Sequence, residues 1–337
     1  MPVLDIFKGD AFSIFEMTKA ISIIPNNYGL IRTLGLFNEK GIKTTSVLIE
    51  KKHGVLNLLP QTERGGEGTY NMSSKRDIVS LNIPNFTLRD RIKAEDVQDI
   101  RSFGTESEFE TVQNVVLEKL EEMKRKHEIT KEFMLSGALQ GVVKDGNGDT
   151  IVDLYTSFDV SKKTQDFKLG TQNSDIPKYL RDIKRHIETK LQGETMTGIL
   201  CLCSSEFFDK LISHPSVKDA YLGFQDKTPY RDDQREDFRF QGIGFREYNG
   251  NASDLKGNLH AFIPAGKAIF IPLGTQNTFE MVYAPADYIE TVNTRGLPLY
   301  AKQEVMKYGK GIEIETQANP LPLCKRPEIL VEGYSSN

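Results

Sequence analysis

The sequence predicts an α+β fold on three observations. Strand-like and helical segments interleave without the regular βαβ alternation of a doubly wound sheet. A long amphipathic helix is predicted over residues 105–139, and an extended two-stranded ribbon with a glycine-rich tip over residues 44–84.

Residues 1–43 carry scattered apolar side chains (Ile6, Phe7, Phe12, Ile14, Phe15, Ile21, Ile23, Ile24) interrupted by Pro25, Asn26, Asn27 and Gly29. With no sustained period, this stretch is expected to be an arm that needs a partner surface. TTSVLIEKKHGVLNLL at 44–59 and IVSLNI at 78–83 are rich in β-branched and aliphatic residues. QTERGGEGTYNMSSKR lies between them, with Gly65, Gly66 and Gly68 crowded together and only Tyr70 and Met72 large enough to anchor the tip. At about 3.3 Å per residue, a 16-residue ribbon arm reaches about 50 Å. An isolated hairpin is marginal in water, so such a ribbon is best explained if another subunit covers it. An ordinary hairpin with a disordered loop is the alternative.

The helix signal begins at Thr105, where Glu108 stands three residues after a candidate N-cap. Phe109, Val112, Val116, Leu120 and Met123 then recur at spacings of three and four, which defines one apolar face. The pattern continues to Ala138 as one helix or two, with Gly137 a weak point and Gly141 a terminator. The charge run Glu118, Lys119, Glu121, Glu122, Lys124, Arg125 is expected to be a solvated face with i,i+4 pairs.

VVKDGNGDTIVDLY reads as a hairpin around D-G-N-G-D, and its spacing fails as a calcium loop because Thr150 and Thr156 stand where Gly and Glu are needed. SDIPKYLRDIKRHIETKLQG reads as a helix, MTGILCLCS as a buried strand and SSEFFDKLISH as a short helix stopped by Pro215. FRFQGIGFREY, HAFIPAGKAIFIPL and GIEIETQAN are strand-like.

A chain of 337 residues suits one elaborated domain or two smaller ones. The 43 basic residues nearly balance 47 acidic ones, which argues against a dedicated nucleic-acid binder. Cys201, Cys203 and Cys324 are expected to be buried reduced thiols, and neither a membrane span nor a secretion signal is apparent. GGEG at 65–68 lacks a following Lys-Ser or Lys-Thr, and G-I-G-F at 242–245 lacks a third glycine. The five histidines are widely separated. Acidic groups (Glu95, Asp96, Asp99; Asp232, Asp233, Glu236, Asp237) sit beside basic neighbours and read as surface ion pairs. No catalytic residue, metal site or cofactor is predicted.

Several phrases, in order, resemble the lambda-like phage major capsid proteins, the major capsid protein E family. FSIFEMTKAI and GLIRTLGLFNEKGIKTTSVLIEKKHGVLNLL are similar to that family's arm and first strand. DVQDIRSFGTESEFETVQ is similar to the lead into its long helix, and ITKEFMLSGALQGVVKDGNGDTIVDLY to the helix end and hairpin. LCSSEFFDKLISHPSVKDAY, IGFREYNG, APADYIETVNTRGLPLYAK and NPLPLCKRPEILVEGY follow. The resemblance spans about residues 5–333.

It implies the Hong Kong 97 phage capsid fold: an N-terminal arm (1–43), an extended β-ribbon loop (44–84) and a peripheral domain (85–195) with spine helix 105–139. An axial domain (196–300) and C-terminal strands returning to the peripheral domain (301–337) complete it. The function implied is that of a non-enzymatic major capsid protein of a tailed bacteriophage, self-assembling into hexamers and pentamers of an icosahedral shell around double-stranded DNA. The location implied is the virion, assembled in the host bacterial cytoplasm. Its main partner is itself; a separate scaffold or protease, portal and decoration proteins are implied, with packaged DNA contacted non-specifically and no membrane. Glu63, Arg64, Glu67 and Tyr70 at the ribbon tip are candidate intersubunit contacts. No coiled-coil leader precedes the arm, so a fused scaffold is not expected, and no Lys, Asn and acidic trio for crosslinking stands out. An encapsulin-like compartment shell, another phage head or tail protein, and a hydrolase with dispersed site residues are the rival readings.

Overall fold

The computed structural model describes residues 17–18, 21, 29–52, 76–93, 96, 108–191, 194–222, 235, 238–254 and 256–337. The chain divides into two compact units, each built from separated stretches.

The first unit comprises 1–47, 82–135 and 281–322. Its framework is a three-stranded sheet in the order β15 (Tyr300–Val305), β16 (Gly311–Ala318), β4 (Phe86–Lys93). β16 is antiparallel to both neighbours, with Ile314 opposite Gln303 and Asp90. Strand alternation sends Ile312 and Ile314 of β16 and Ile92 of β4 into the core, where they pack with Val116, Leu120 and Met123. Those three belong to the long helix α2 (Glu108–Gln140), 33 residues and therefore about 50 Å long. It runs unbroken through Gly137. Met17 and Ile21 join the same cluster. On the other side of the sheet, Arg89 pairs with Glu315, and Arg91 with Glu313 at 3.2 Å. A second three-stranded sheet has the order β1 (Asn38–Gly41), β14 (Phe279–Tyr283), β17 (Pro320–Cys324).

The second unit comprises 48–81, 136–280 and 323–337. Its six-stranded sheet has the order β7 (Lys163–Asp166), β18 (Val331–Tyr334), β13 (Lys267–Leu273), β8 (Gly198–Cys203), β10 (Ile243–Glu247), β9 (Phe238–Phe240). β8 pairs parallel with β10 and antiparallel with β13, so the sheet is mixed. Cys201 and Cys203 are buried on it, and Cys324 is buried as well; all three thiols are free. Helix α4 (Ile176–Leu191) buries Ile176, Leu180, Ile183, Ile187 and Leu191, a single stripe at helical spacing. Phe167, Phe207, Phe245 and Phe270 form a chain of edge and stacked ring contacts in the core, with centroids 5.4–6.1 Å apart. The β9–β10 hairpin turns at Gln241 (φ 52°) and Gly242 (φ 71°), which accounts for the first glycine of the lone G-x-G; Gly244 lies within β10.

Shorter elements complete the chain. The predicted hairpin after the helix is β5 (Val142–Lys144) with β6 (Thr150–Asp153), and Asp153 caps the four-residue helix α3 (Leu154–Ser157). α5 (Ser205–Ser213) and α6 (Pro215–Leu222) follow β8, and β11 (Asn251–Ser253) pairs with β12 (Leu259–Ala261). HAFIPAGKAIFIPL is thus two strands, not one run, because the chain turns at Gly266 (φ 70°). No helix among the described residues is long and apolar enough to cross a membrane.

Val116 is 4% exposed in the cluster between helix and sheet. Val116→Asp places an unpaired carboxylate there, at a cost of several kcal/mol, and is expected to yield insoluble or unfolded protein; soluble material with a native circular-dichroism melt would contradict this packing.

Candidate functional site

The apolar stripe of α2, Val116, Leu120 and Met123, continues in register through 127, 131, 134 and 138. Met134 and Ala138 are buried as the spacing requires, but His127 and Lys131 occupy the same stripe and are buried too. Lys124, Glu128 and Glu132 beside them are also buried. The expected solvated face therefore holds only in part. Glu121 with Arg125 and Glu122 with Lys126 form exposed i,i+4 pairs, whereas Lys124 is buried and its Nζ donates to the Ile21 carbonyl at 2.7 Å.

Residues of the arm cover this polar stripe. Helix α1 (Leu30–Thr33) follows Gly29, and the Ile31 N–H donates to Glu132 Oε1 at 2.7 Å. Gly29 has φ 118°, where a side chain is strained, and a Cβ there would meet Glu132 Oε2 at 2.7 Å and displace the carboxylate. The Arg32 guanidinium pairs with Glu128 Oε2. Glu128 Oε1 accepts from Lys131 Nζ at 3.1 Å, with both side chains 6% exposed. Lys131 Nζ also stands 5.9 Å from the Tyr283 ring centroid. Farther along the arm, Thr18 Oγ1 accepts from the Ala301 N–H at 3.1 Å.

Burial sets the protonation states. It works to raise the Glu128 pKa, but Lys131, Arg32 and Lys124 outweigh it and hold the carboxyl below its ordinary value. Burial depresses Lys131, with Glu128 opposing. His127, buried and next to Lys131, is pushed down to about 4; its neutral ring shares a 2.9 Å hydrogen bond with Thr316 Oγ1. Perturbed groups of this kind occur at catalytic centres and in structural ion-pair networks alike. Here Lys124, Glu128 and Glu132 bond to the arm and His127 to the sheet, so the arrangement acts as a clasp.

Glu63, Arg64, Glu67 and Tyr70 lie outside the described residues. Of the ribbon, β2 (Ser46–Lys52) and β3 (Arg76–Asn82) are described and pair with each other. At its base the Ile83 N–H donates to the Thr45 carbonyl at 3.0 Å. Leu48 and Ile78 are each 65% exposed, while Ile49 and Leu81 are buried. Of the acidic groups singled out by sequence, only Asp96 is described, and it accepts from the Lys93 N–H at 2.9 Å. His186 and His214 bond to the Glu328 and Thr171 carbonyls, and His260 faces Asp254 at 3.4 Å. No three His, Cys, Asp or Glu side chains converge as a metal site among the described residues.

Two measurements check the clasp. Glu128→Ala strands the buried Lys131 ammonium and should cost about 3–5 kcal/mol in urea unfolding, whereas Glu128→Leu combined with Lys131→Met should recover most of it. His127 stays neutral in the folded protein to about pH 4 but takes up a proton near 6.5 when unfolded. Stability should therefore fall as pH drops from about 6.5 to about 4, by on the order of 3 kcal/mol, and His127→Gln should flatten that slope in pH-dependent melts.

The sequence matches the phage major capsid protein E family over residues 13–335. It is 31% identical to the major capsid protein of Salmonella phage Felix O1, over 95% of each chain. Identity to the major capsid protein of Pseudomonas phage KPP10 is 29%, over 96% of this chain and 97% of that one. The mature capsid of bacteriophage PhiM1 shares the fold, with a TM-score of 0.52 at 12% identity over 93% of this chain and 90% of that chain. The mixture of helices and strands described above is that of a Hong Kong 97-like phage capsid fold, and the chain belongs to the phage major capsid protein E family.

Proposed function

We propose that this chain, a phage major capsid protein by family, builds the head of a tailed bacteriophage as hexamers and pentamers of an icosahedral shell around double-stranded DNA. The observation that carries the reading is the ribbon. β2 and β3 pair with each other alone among the described strands and present Leu48 and Ile78 to solvent. A two-stranded sheet with exposed aliphatic side chains is marginal by itself and is stabilised when a neighbouring subunit covers it. Contacts between unlike surfaces of identical chains propagate into rings and closed shells.

In this reading residues 1–43 are the arm, 44–84 the ribbon loop, 85–195 the peripheral domain, 196–300 the axial domain and 301–337 the returning strands. The pairing of β16 with β4 supports that return for 311–318, whereas β18 pairs with β13 and β7. Glu63, Arg64, Glu67 and Tyr70 are the tip contacts with the next subunit. Scaffold or protease, portal and decoration proteins are separate chains, and assembly takes place in the host cytoplasm without enzymatic activity of this chain. A net charge of −4 at pH 7 suits a wall that encloses DNA without gripping it.

Deleting residues 62–74 should leave a folded, soluble subunit that assembles poorly. Negative-stain microscopy and sedimentation check both halves. Shells formed at the normal yield would remove the ribbon from the assembly contacts, and an unaltered chain that stays monomeric at high concentration would remove the shell reading itself.

A further inference from the structure

The β15–β16 hairpin ends in an improbable residue. Tyr308 has φ 65° and ψ 17°, and Gly309 after it has φ 64°. Consecutive positive φ values at a hairpin tip favour Asn-Gly, and an aromatic side chain is disfavoured there. Tyr308 also buries almost nothing within its own subunit, being 93% exposed, and Lys307 and Lys310 on either side are exposed too. An unfavourable backbone conformation that presents an aromatic ring between two cations points to a contact outside the subunit.

A complementary surface lies at the opposite end of the same strand. The chain just before β15 exposes Ile289 (92%) and Val292 (63%). This loop is tightly built: Thr291 is buried, and its Oγ1 donates to the Ala286 carbonyl at 2.6 Å and the Tyr288 carbonyl at 3.0 Å. Thr294 Oγ1 donates to the Thr291 carbonyl at 2.7 Å, and the Leu297 N–H donates to the Tyr300 hydroxyl at 2.9 Å. The exposed carboxylates Asp287 and Glu290 flank Ile289, with Glu290 shared with Lys302 at 3.0 Å and exposed Arg295 farther along. The loop packs on the first half of β15, where Glu290 pairs with Lys302, whereas Tyr308 lies beyond the strand's last residue and its ring is exposed.

We infer that the 307–310 tip of one copy seats on the 287–292 loop of a neighbouring copy, with Tyr308 against Ile289 and Val292 and the two lysines toward Asp287 and Glu290. The contact joins two different surfaces of one chain, so it runs head to tail and repeats around a ring. It rests on the shell reading given above and adds to it a second interface, independent of the ribbon.

Two variants test it in assembled shells. In Ile289→Cys/Tyr308→Cys treated with a short bis-maleimide, the expected result is a covalent ladder extending beyond dimer on a denaturing gel, absent from either single variant. Shells visible by microscopy that give no ladder, or one ending at dimer, overturn the inference while leaving the shell intact; absence of shells from the unaltered chain removes the shell reading instead. Tyr308→Asn eases the backbone, so the melting temperature of the unassembled subunit should stay the same or rise. Its threshold concentration for assembly should rise at least about tenfold. Assembly of Tyr308→Asn at the unaltered threshold also overturns the contact, since a purely structural tyrosine would show the reverse pattern.

Discussion

The long helix α2 needs cover along its whole inner stripe, and it receives two different kinds. Through Val116, Leu120 and Met123 the sheet β15-β16-β4 covers it with apolar side chains, and burial of that surface is the driving force. Between Lys124 and Glu132 the buried surface is polar and charged, and hydrogen-bonding backbone from the arm covers it through Ile21 and Ile31. Apolar packing tolerates small shifts; the buried Glu128–Lys131 pair tolerates none without stranding a charge. The helix is thereby fixed to the sheet by area and to the arm by register.

The contrast extends to what each region is for. The core of the six-stranded unit is aromatic and aliphatic, with ring contacts that depend only on the unit's own residues. The surfaces assigned to neighbours are different in kind: a ribbon of two strands, a hairpin tip carrying Tyr308 and an ordered apolar loop at Ile289. Each leaves large side chains exposed where a self-sufficient protein would bury or replace them.

Much of the architecture is legible in sequence where one side-chain property repeats. The apolar stripe of α2, the β-branched runs of β2, β3 and β16 and the continuous apolar run of β8 announce themselves. β4 hides because four charged residues, Arg89, Asp90, Arg91 and Lys93, outnumber its three apolar ones, although Phe86, Leu88 and Ile92 keep the period of two. β17 hides because PLPLC contains two prolines, which read as loop but are tolerated on the edge strand of its sheet. The charge cluster was half legible: His127 and Lys131 fall on the continuation of the apolar spacing, which is a sign of polar burial, but Arg32 lies 96 residues from Glu128 and no local pattern joins them. Ribbon and spine helix are visible one at a time, whereas their partners are products of long-range topology.

That topology also governs when the protein becomes usable. β16, the central strand of its sheet, pairs with β4, and Glu315 meets Arg89 across 226 residues of chain. The six-stranded sheet likewise waits for β18 to insert between β7 and β13. Contacts so distant in sequence form late and slowly, and a chain still emerging from the ribosome lacks the last strand of either sheet. On nascent chains crowded on one message, the unit that includes most of the ribbon is therefore finished only after synthesis has passed β18.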